Sequence, residues 1–392
     1  MRLNKHIFLL VLVVNFSCTE PFNLVTESFE DTLVVEATIT DELKTQKIKI
    51  SRTYRLENDT PVLEEKAKVK IVDSNNNEYD FRYEGSGIYN SIQEFQAVEG
   101  VSYKLFITAS DGKEYISDEE SLAPKAEMDL YVEAINANGT TGAQVFVNTN
   151  DNLGDANYFR YEYEETYKVV APLFTTNNII PVNVVYTEYD IHFDTLDVLR
   201  SRDKQVCYST KYSNQILITS VNGLSEDKIS RFPIRFLSSE TAFLRERYSI
   251  LVRQYVQSAN ANNFYKILKE LGSDGSLLID NQPGFIRGNI FSKENRKEKI
   301  VGFFDVSSVT SKRIYFNYKD FDFDYPFYFF RCDEITLNYG KMEERFRMFK
   351  WLNSPSAYMY VSGGKFSPRF VSSKCVDCTT FSSNIKPEFW ED

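Results

Sequence analysis

The feature that most constrains this chain is a series of short runs rich in β-branched and aromatic residues, separated by turn-forming residues. The runs begin at residue 33 and recur at short, even spacing, for example at 33–39, 103–108 and 115–117. Turn formers such as Asp111-Gly112 lie between them. Short strands joined by such turns are typical of antiparallel sandwiches. The sequence therefore predicts an all-β protein.

Pro124 divides this pattern into two parts. Before it, seven predicted strands in about 90 residues fit an immunoglobulin-like β-sandwich over residues 31–123. The remainder, residues 124–392, is predicted to form a larger β-sandwich-like domain. Its candidate strands include 158–170, 248–256, 299–304 and 313–316. The total of 392 residues suits two or three domains.

One amphipathic helix is predicted inside the larger domain, over residues 258–271. Ser258 is a suitable N-cap, and Gly272 offers a left-handed stop. Apolar residues between these ends recur at helical spacing: Phe264, Ile267, Leu268 and Leu271. We expect this helix to cover an open end or face of a sheet.

The N-terminus has the features of an export signal. Arg2 and Lys5 precede an apolar run over residues 7–14, which is too short to span a bilayer. Cys18 follows, so we predict a signal peptide over residues 1–17, lipidation of Cys18 and a lipidated tether over residues 18–30. The alternative is an ordinary secretory signal with an incidental cysteine.

Charge and histidine content exclude several functions. The chain has 56 acidic against 45 basic residues, a formal charge of −11, which argues against binding to nucleic-acid phosphates. It has two histidines, His6 and His192, and the first lies in the predicted signal. Chemistry that needs two or more imidazoles is therefore disfavoured. We predict no cofactor and no nucleic-acid partner.

Four cysteines remain once Cys18 is assigned to lipid: Cys207, Cys332, Cys375 and Cys378. An even number in an exported protein favours two disulfides over a zinc or redox site. Four cysteines allow three pairings. The pairing Cys375–Cys378 with Cys207–Cys332 is slightly favoured over the crossed forms.

A second group of candidate residues is Asp320, Asp322 and Asp324, which alternate with aromatic residues. On a strand their carboxylates would share one face and could hold a calcium ion. The spacing does not match an EF-hand, because Tyr325 and Arg331 stand where glycine and glutamate are needed. The alternative is a strand with a solvated acidic face and a buried face of phenylalanine.

Exposed aromatic side chains could instead stack on a sugar, at residues 327–330 or at Phe389-Trp390. The chain has 31 Phe against 2 Trp, however, and Phe belongs more often to cores. The sequence contains no Gly-x-Ser-x-Gly elbow and no phosphate-binding glycine loop. We therefore assign no catalytic residue and predict that the protein is not an enzyme.

Ordered motifs along the chain resemble one family. They are Cys18 with Glu20-Pro21-Phe22, Leu33-Val34-Val35-Glu36-Ala37, Asp111-Gly112-Lys113-Glu114-Tyr115, residues 248–254, Asp280-Asn281-Gln282-Pro283, Gly288-Asn289-Ile290, Val301-Gly302-Phe303-Phe304, Cys375-Val376-Asp377-Cys378 and Pro387-Glu388-Phe389-Trp390. Together they look like the bacterial lipoproteins called domain of unknown function 4249. The resemblance implies an outer-membrane, surface-exposed lipoprotein found with TonB-dependent receptors, and it implies no known activity.

Three functions follow as hypotheses. The first is a non-enzymatic accessory that docks on a TonB-dependent receptor and helps to capture or admit a ligand, since a lipid tether concentrates the protein near a membrane partner. The second is a surface hydrolase that uses a carboxylate pair on glycans or peptides. The third is a structural subunit in surface-protein assembly.

Overall fold

A computed structural model describes residues 32–53, 62–150, 156–221, 228–273 and 286–392. The predicted signal peptide, Cys18 and the tether lie outside the described residues, as does the motif at 280–283. The strands are β1 (Leu33–Thr40), β2 (Lys47–Arg52), β3 (Val62–Leu63), β4 (Lys68–Asp73), β5 (Glu78–Gly85), β6 (Ile88–Ser91), β7 (Ser102–Thr108), β8 (Glu114–Ser117), β9 (Glu120–Ser121), β10 (Glu127–Ala137), β11 (Thr140–Asn150), β12 (Tyr158–Val170), β13 (Asn177–Tyr186), β14 (Ile191–Leu199), β15 (Val206–Tyr212), β16 (Leu217–Ser220), β17 (Lys228–Ser238), β18 (Tyr248–Val256), β19 (Ile290–Ser292), β20 (Ile300–Phe316), β21 (Ile335–Thr336), β22 (Tyr358–Ser362) and β23 (Arg369–Ser372).

Helices are few in the described part of the chain. The two α-helices are α1 (Ala259–Ser273) and α2 (Met342–Asn353). The 3-10 helices are Arg202–Lys204, Ala242–Leu244, Tyr318–Phe321, Ser373–Cys375 and Cys378–Thr380. The all-β prediction is confirmed, with a sandwich-like arrangement of several sheets. None of the described helices is long and apolar enough to cross a membrane.

One extended sheet joins both halves of the chain. Its strand order is β15-β12-β18-β20-β1-β2-β6-β5-β4-β7-β8-β19. β1 pairs antiparallel with β2 on one side and parallel with β20 on the other, from Leu33 opposite Ile300 to Thr40 opposite Ser307. β19 likewise pairs with β8. The sheet therefore contains strands from both sides of the predicted domain boundary at residues 123 and 124. That boundary stays a prediction.

Two large cores lie against this sheet. The N-terminal core takes buried residues from both ends of the strand path β20 to β19, including Leu33, Ile71, Ile290 and Phe304. Such sharing requires the sheet to fold over itself, as in a sandwich. The second core packs β12 and β18 against the three-stranded sheet β10-β11-β17, with Val145 among its buried residues.

The predicted helix is confirmed as α1. The backbone N–H of Ala261 donates to Ser258 Oγ at 3.2 Å, as expected of an N-cap. The helix continues to Ser273, so Gly272 does not end it. α2 was not predicted, because charged residues interrupt its apolar pattern. The predicted strands 299–304 and 313–316 are parts of the single 17-residue strand β20.

The hairpin β13–β14, helix α2 and the three-stranded sheet β21-β23-β22 form a separate unit, which we call the satellite. Its own core contains Phe193, Leu337, Met348 and Phe370. A polar contact also joins helix α2 to the β13–β14 hairpin. Arg345 on α2 forms an ion pair with Asp190 in the β13–β14 turn.

The two disulfides connect Cys207 with Cys378 and Cys332 with Cys375, each with a Cα–Cα distance of 5.8 Å. The prediction of two bridges fits this structure, but the favoured pairing was wrong. Cys378 is buried in the core that contains Cys207, whereas Cys375 packs in a smaller cluster with Cys332. The intervening turn sends the two neighbouring cysteines into different cores.

Candidate functional site

A cleft of about 780 Å³ lies between the face of the extended sheet and helix α1. Its floor comes from β1 and β20, which pair side by side. Successive side chains of a strand point to opposite faces, so Leu33, Val35 and Ala37 enter the core while Val34 and Glu36 face the cleft. The site thus depends on the parallel pairing of two strands far apart in sequence.

The wall formed by α1 is apolar and aromatic. Phe264, Tyr265 and Leu268 line the cleft from positions one and four residues apart, which place them on one side of the helix. The Phe264 ring packs against Phe303 of β20, with 5.6 Å between ring centroids. This wall offers a surface for the apolar part of a ligand.

Arg160 of β12 lies at the inner end of the cleft. Its guanidinium lies over two aromatic rings, 4.3 Å from the centroid of Tyr255 and 4.8 Å from that of Tyr265. It also forms an ion pair with Glu162, whose other carboxylate oxygen accepts from the Tyr255 hydroxyl at 3.0 Å. Burial raises the pKa of Tyr255, which keeps this hydroxyl protonated as a donor. The arrangement joins the helix wall to the sheet.

The cleft is locally cationic although the chain is acidic. Four cationic side chains line it, and three of them form ion pairs: Lys44 with Glu42, Lys49 with Glu36 and Arg160 with Glu162. The Lys49 ammonium lies 2.9 Å from Glu36, so that pair is locally neutral. Lys47 is exposed at the mouth. A ligand that carries a negative charge therefore matches this cleft best.

A buried acidic pair, Glu120 and Asp305, lies at the N-terminal end of α1. Burial and the neighbouring charge of Asp305 raise the pKa of Glu120 to about 7, although Asn289 and Ser258 donate to its carboxylate. Burial also raises the pKa of Asp305, which Arg160 and Gln257 only partly offset. Gln257 Nε2 donates to Asp305 Oδ2 at 2.7 Å.

This pair is closed to solvent. The exposed fraction is 8% for Glu120 and 0% for Asp305. Their raised pKa values therefore report burial within the fold, and no substrate reaches them in this conformation.

The model of the family described as domain of unknown function (DUF4249) matches residues 19–313. This stretch covers more than half of the chain and includes every residue that lines the cleft. The chain belongs to the DUF4249 family. None of the curated proteins matches it.

Two of the segments on which the family resemblance was based, residues 288–290 and 301–304, meet where β1, β20 and the chain before β19 come together. A Cβ atom on Gly288 would lie 1.6 Å from the carbonyl oxygen of Gly302, so only glycine fits there. Asn289 accepts from the Phe304 backbone N–H at 2.8 Å and donates to the Phe304 carbonyl at 2.9 Å. These motif residues hold the cleft floor in place. Of them, Val301, Gly302 and Phe303 also line the cleft.

The structure does not place the three aspartates of the calcium hypothesis on one strand. Asp320 lies in a 3-10 helix and accepts from the backbone N–H of Asn317 at 2.7 Å, while Asp322 ends that helix with a left-handed φ of 55°. The predicted period-two alternation was therefore wrong, because Asn317 and Asp320 form capping hydrogen bonds that favour a 3-10 helix over a strand. Within the described residues, no group of three or more His, Cys, Asp or Glu could hold a metal ion.

The other candidate residues from the sequence are either packed in a core or exposed on the surface. Trp390 is buried, with its ring 5.0 Å from that of Tyr208, and cannot serve as a stacking platform. Phe329 packs on the second core, whereas Phe327 is exposed. His192 is exposed and lies 3.4 Å from Asp190.

Arg160 was missed. It stands between Phe159 and Tyr161 in a strand pattern that marks it as solvent-facing. Only the position of α1 above it shows that it is covered.

Proposed function

We propose that this protein is a non-enzymatic binding protein, held at the outer membrane by lipid on Cys18, that captures an anionic amphipathic ligand for a TonB-dependent receptor. The observation that carries the ligand-binding part is the cleft between β1, β20 and α1. It combines an apolar helix wall with an exposed cation, Lys47, that makes no ion pair with a described carboxylate, in a chain of net charge −11. A cleft of this volume lies in the range of small-molecule sites.

The geometry suggests how such a ligand lies. Its apolar part would pack on Phe264 and Leu268, and its carboxylate or phosphate would meet Lys47 at the mouth. Arg160 is already paired with Glu162, so its role is to hold Tyr255 and Tyr265 in position. The sheet floor and the helix are both packed, which favours a preformed site.

The hydrolase alternative gains no support from the cleft. Both carboxylates that line it are engaged in ion pairs, Glu36 with Lys49 and Glu162 with Arg160. A general acid needs a protonated group in contact with the substrate. Glu120 and Asp305 have raised pKa values, but they are buried.

The receptor part of the proposal rests on family resemblance and on confinement. Acyl chains at Cys18 would hold the protein at the membrane surface, and such tethering raises its effective concentration toward a membrane partner. A structural role in surface-protein assembly would use the same tether but would not need the cleft.

Ligand binding is tested by filling the cleft. Leu268→Trp puts a bulky ring against the apolar wall, whereas Lys266→Trp adds the same ring on the exposed side of α1. The probes are dodecanoate, dodecyl phosphate and the neutral dodecanol, measured by calorimetry with the mature protein. We expect the two anions to bind more tightly than the alcohol and Leu268→Trp to weaken them about tenfold or more. Equal binding by the parent and Leu268→Trp would refute the cleft as the site.

Comparison of dodecanoate with dodecyl phosphate shows whether the cleft prefers a carboxylate or a phosphate. The two probes share an alkyl chain and differ in the charge and shape of the headgroup. Lys47→Glu should weaken both, and added salt should do the same. A preference for dodecanol over both anions would contradict the charge argument.

The membrane context is tested in cells. Palmitate labelling should mark the parent protein and not Cys18→Ser. Detergent extraction of the parent should recover an outer-membrane barrel, identified by mass spectrometry. Recovery of an unlabelled monomer without a barrel would contradict this part of the proposal and leave the ligand cleft to be judged by its own test.

A further inference from the structure

The satellite carries an unusual share of the exposed apolar surface. Of the 18 large hydrophobic side chains that are exposed in the described part of the chain, nine belong to it. They are Ile180, Val185, Tyr186, Tyr189, Leu196, Leu199, Met342, Phe346 and Phe366. Single exposed apolar residues need no explanation, but concentration in one small unit is typical of an interaction surface.

Part of this surface is a groove of about 600 Å³ between the tip of the β13–β14 hairpin and α2. Tyr186 and Ile191 line it from the hairpin, and Phe346, Phe349 and Trp351 line it from the helix. The Tyr186 and Phe349 rings meet edge to face, with 6.1 Å between their centroids. The groove is thus a concave apolar surface built on two elements of regular structure.

Two cations stand on the rim of this groove, Arg347 and Lys350. Of the other charged side chains of α2, Arg345 and Glu344 have partners within the satellite, whereas Glu343 is exposed four residues before Arg347. Arg345 pairs with Asp190, and Glu344 accepts from Lys341 and from the backbone of Asn338. Lys350 makes no ion pair with a described carboxylate. The groove therefore presents positive charge beside an apolar floor, on a chain whose net charge is −11.

We propose that this groove docks an acidic, apolar segment of a partner protein, with an aromatic or aliphatic side chain on the apolar floor and carboxylates beside Arg347 and Lys350. Charge complementarity favours this occupant. A groove of about 600 Å³ can receive the side chains of a protruding segment. A second copy of this chain is disfavoured by repulsion between two bodies of high negative charge. The groove shares no lining residue with the ligand cleft, so this proposal does not depend on ligand capture.

The chain offers its own probe for this test, because Trp351 lies in the groove and the other tryptophan, Trp390, is buried elsewhere. Three synthetic peptides with the same Leu and Phe core, flanked by Glu, Ser or Lys, are titrated into the mature protein while tryptophan emission is recorded. We expect the Glu-flanked peptide to bind at least about tenfold more tightly than the Lys-flanked one. The emission change should vanish in Trp351→Phe.

Matched variants separate docking from folding. Phe346→Asp should abolish binding of the Glu-flanked peptide, and the pair Arg347→Glu with Lys350→Glu should invert the order of the three peptides. Tyr212→Asp places the same charge on another exposed ring, 74% exposed on β15, and should bind like the parent. Circular dichroism shows whether each variant is folded; if Phe346→Asp is not, the charge-inverted variant decides.

Three outcomes would overturn the proposal. The first is equal binding, or none, for all three peptides. The second is a concentration-dependent dimer in analytical ultracentrifugation that Phe346→Asp disrupts, which would assign the groove to a second copy. The third is binding to phosphatidylglycerol vesicles that Phe346→Asp abolishes while no peptide binds, which would assign it to a lipid surface.

Discussion

The junction of β1, β20 and the chain before β19 differs from the satellite in what holds it together. At the junction, main chains approach so closely that side chains are excluded. A Cβ on Gly302, whose φ is 152°, would lie 2.3 Å from the Val35 carbonyl oxygen. The satellite instead has a small core of its own, and the Cys332–Cys375 bridge closes the base of the segment that contains β21, α2, β22 and β23.

This difference explains which positions of each region can accept substitutions. A junction built on backbone contact leaves no room for a side chain at Gly288 or Gly302, and it carries part of the cleft floor. The satellite is held by a covalent bridge and a few buried side chains, so its outer surface is free to carry exposed aromatic residues. α2 and β21–β23 also lie beyond residue 313, where the family match ends.

The largest expected effect is at the junction. Gly288→Ala places a methyl group on the Gly302 carbonyl, and backbone on both sides must move. We expect a loss of about 3–5 kcal/mol in the free energy of unfolding, measured with denaturant. Gly364→Ala, a substitution with open space around it in the satellite, is the control and should change little. Similar losses for both would break the comparison.

The next effect concerns the satellite. Replacing Cys332 and Cys375 by serine reopens a loop of sequence separation 43 and should cost about 2–4 kcal/mol. Hydrogen exchange should speed up in α2 and β21–β23 and stay slow in β20. The Cys207→Ser with Cys378→Ser variant opens the other bridge for comparison. Faster exchange of β20 after loss of the Cys332–Cys375 bridge would show that the two regions are not independent.

Asn289→Ala tests the polar part of the junction. It leaves the buried N–H and carbonyl of Phe304 without their side-chain partner, which should cost about 2–3 kcal/mol. The exposed Asn384, whose amide donates to Asp203 at 3.3 Å, is the matched control. Asn384→Ala should stay within about 0.5 kcal/mol of the parent. If Asn289→Ala lowered the free energy of unfolding no more than this control does, the hydrogen bonds to Phe304 would not contribute measurably to stability.

The last effect is a pH dependence at the edge of the junction, and it appears only when the pH is changed. The pKa of Glu120 is about 7 in the folded protein, against an ordinary value of 4.5. As the pH rises from 4.5 to 7, the unfolded chain loses this proton while the folded chain retains it, so stability falls across that window and then levels off. Glu120→Gln does not titrate, and its Tm should fall less by up to about 4 °C. Parallel Tm curves for the two proteins would contradict the assignment.

Much of the local structure was predictable because it depends on neighbouring residues. Strands β12 and β18 lie at the predicted residues 158–170 and 248–256, since alternation of side chains is visible in a short window. The cleft was not predictable. Its floor needs β1 beside β20, and its wall needs α1 over Arg160, and neither neighbour is specified by a local pattern.

The sequence by itself determined the strand and helix α1 propensities, the acidic charge and the number of cysteines available for bridges. Only the tertiary structure decided which cysteines pair, that β20 is one long strand shared between two regions, and that Asp320 caps a 3-10 helix instead of facing outward from a strand. The reason is physical: strand and helix periodicity acts over a few residues, whereas these outcomes depend on contacts between parts of the chain that are distant in sequence and meet only when the cores form.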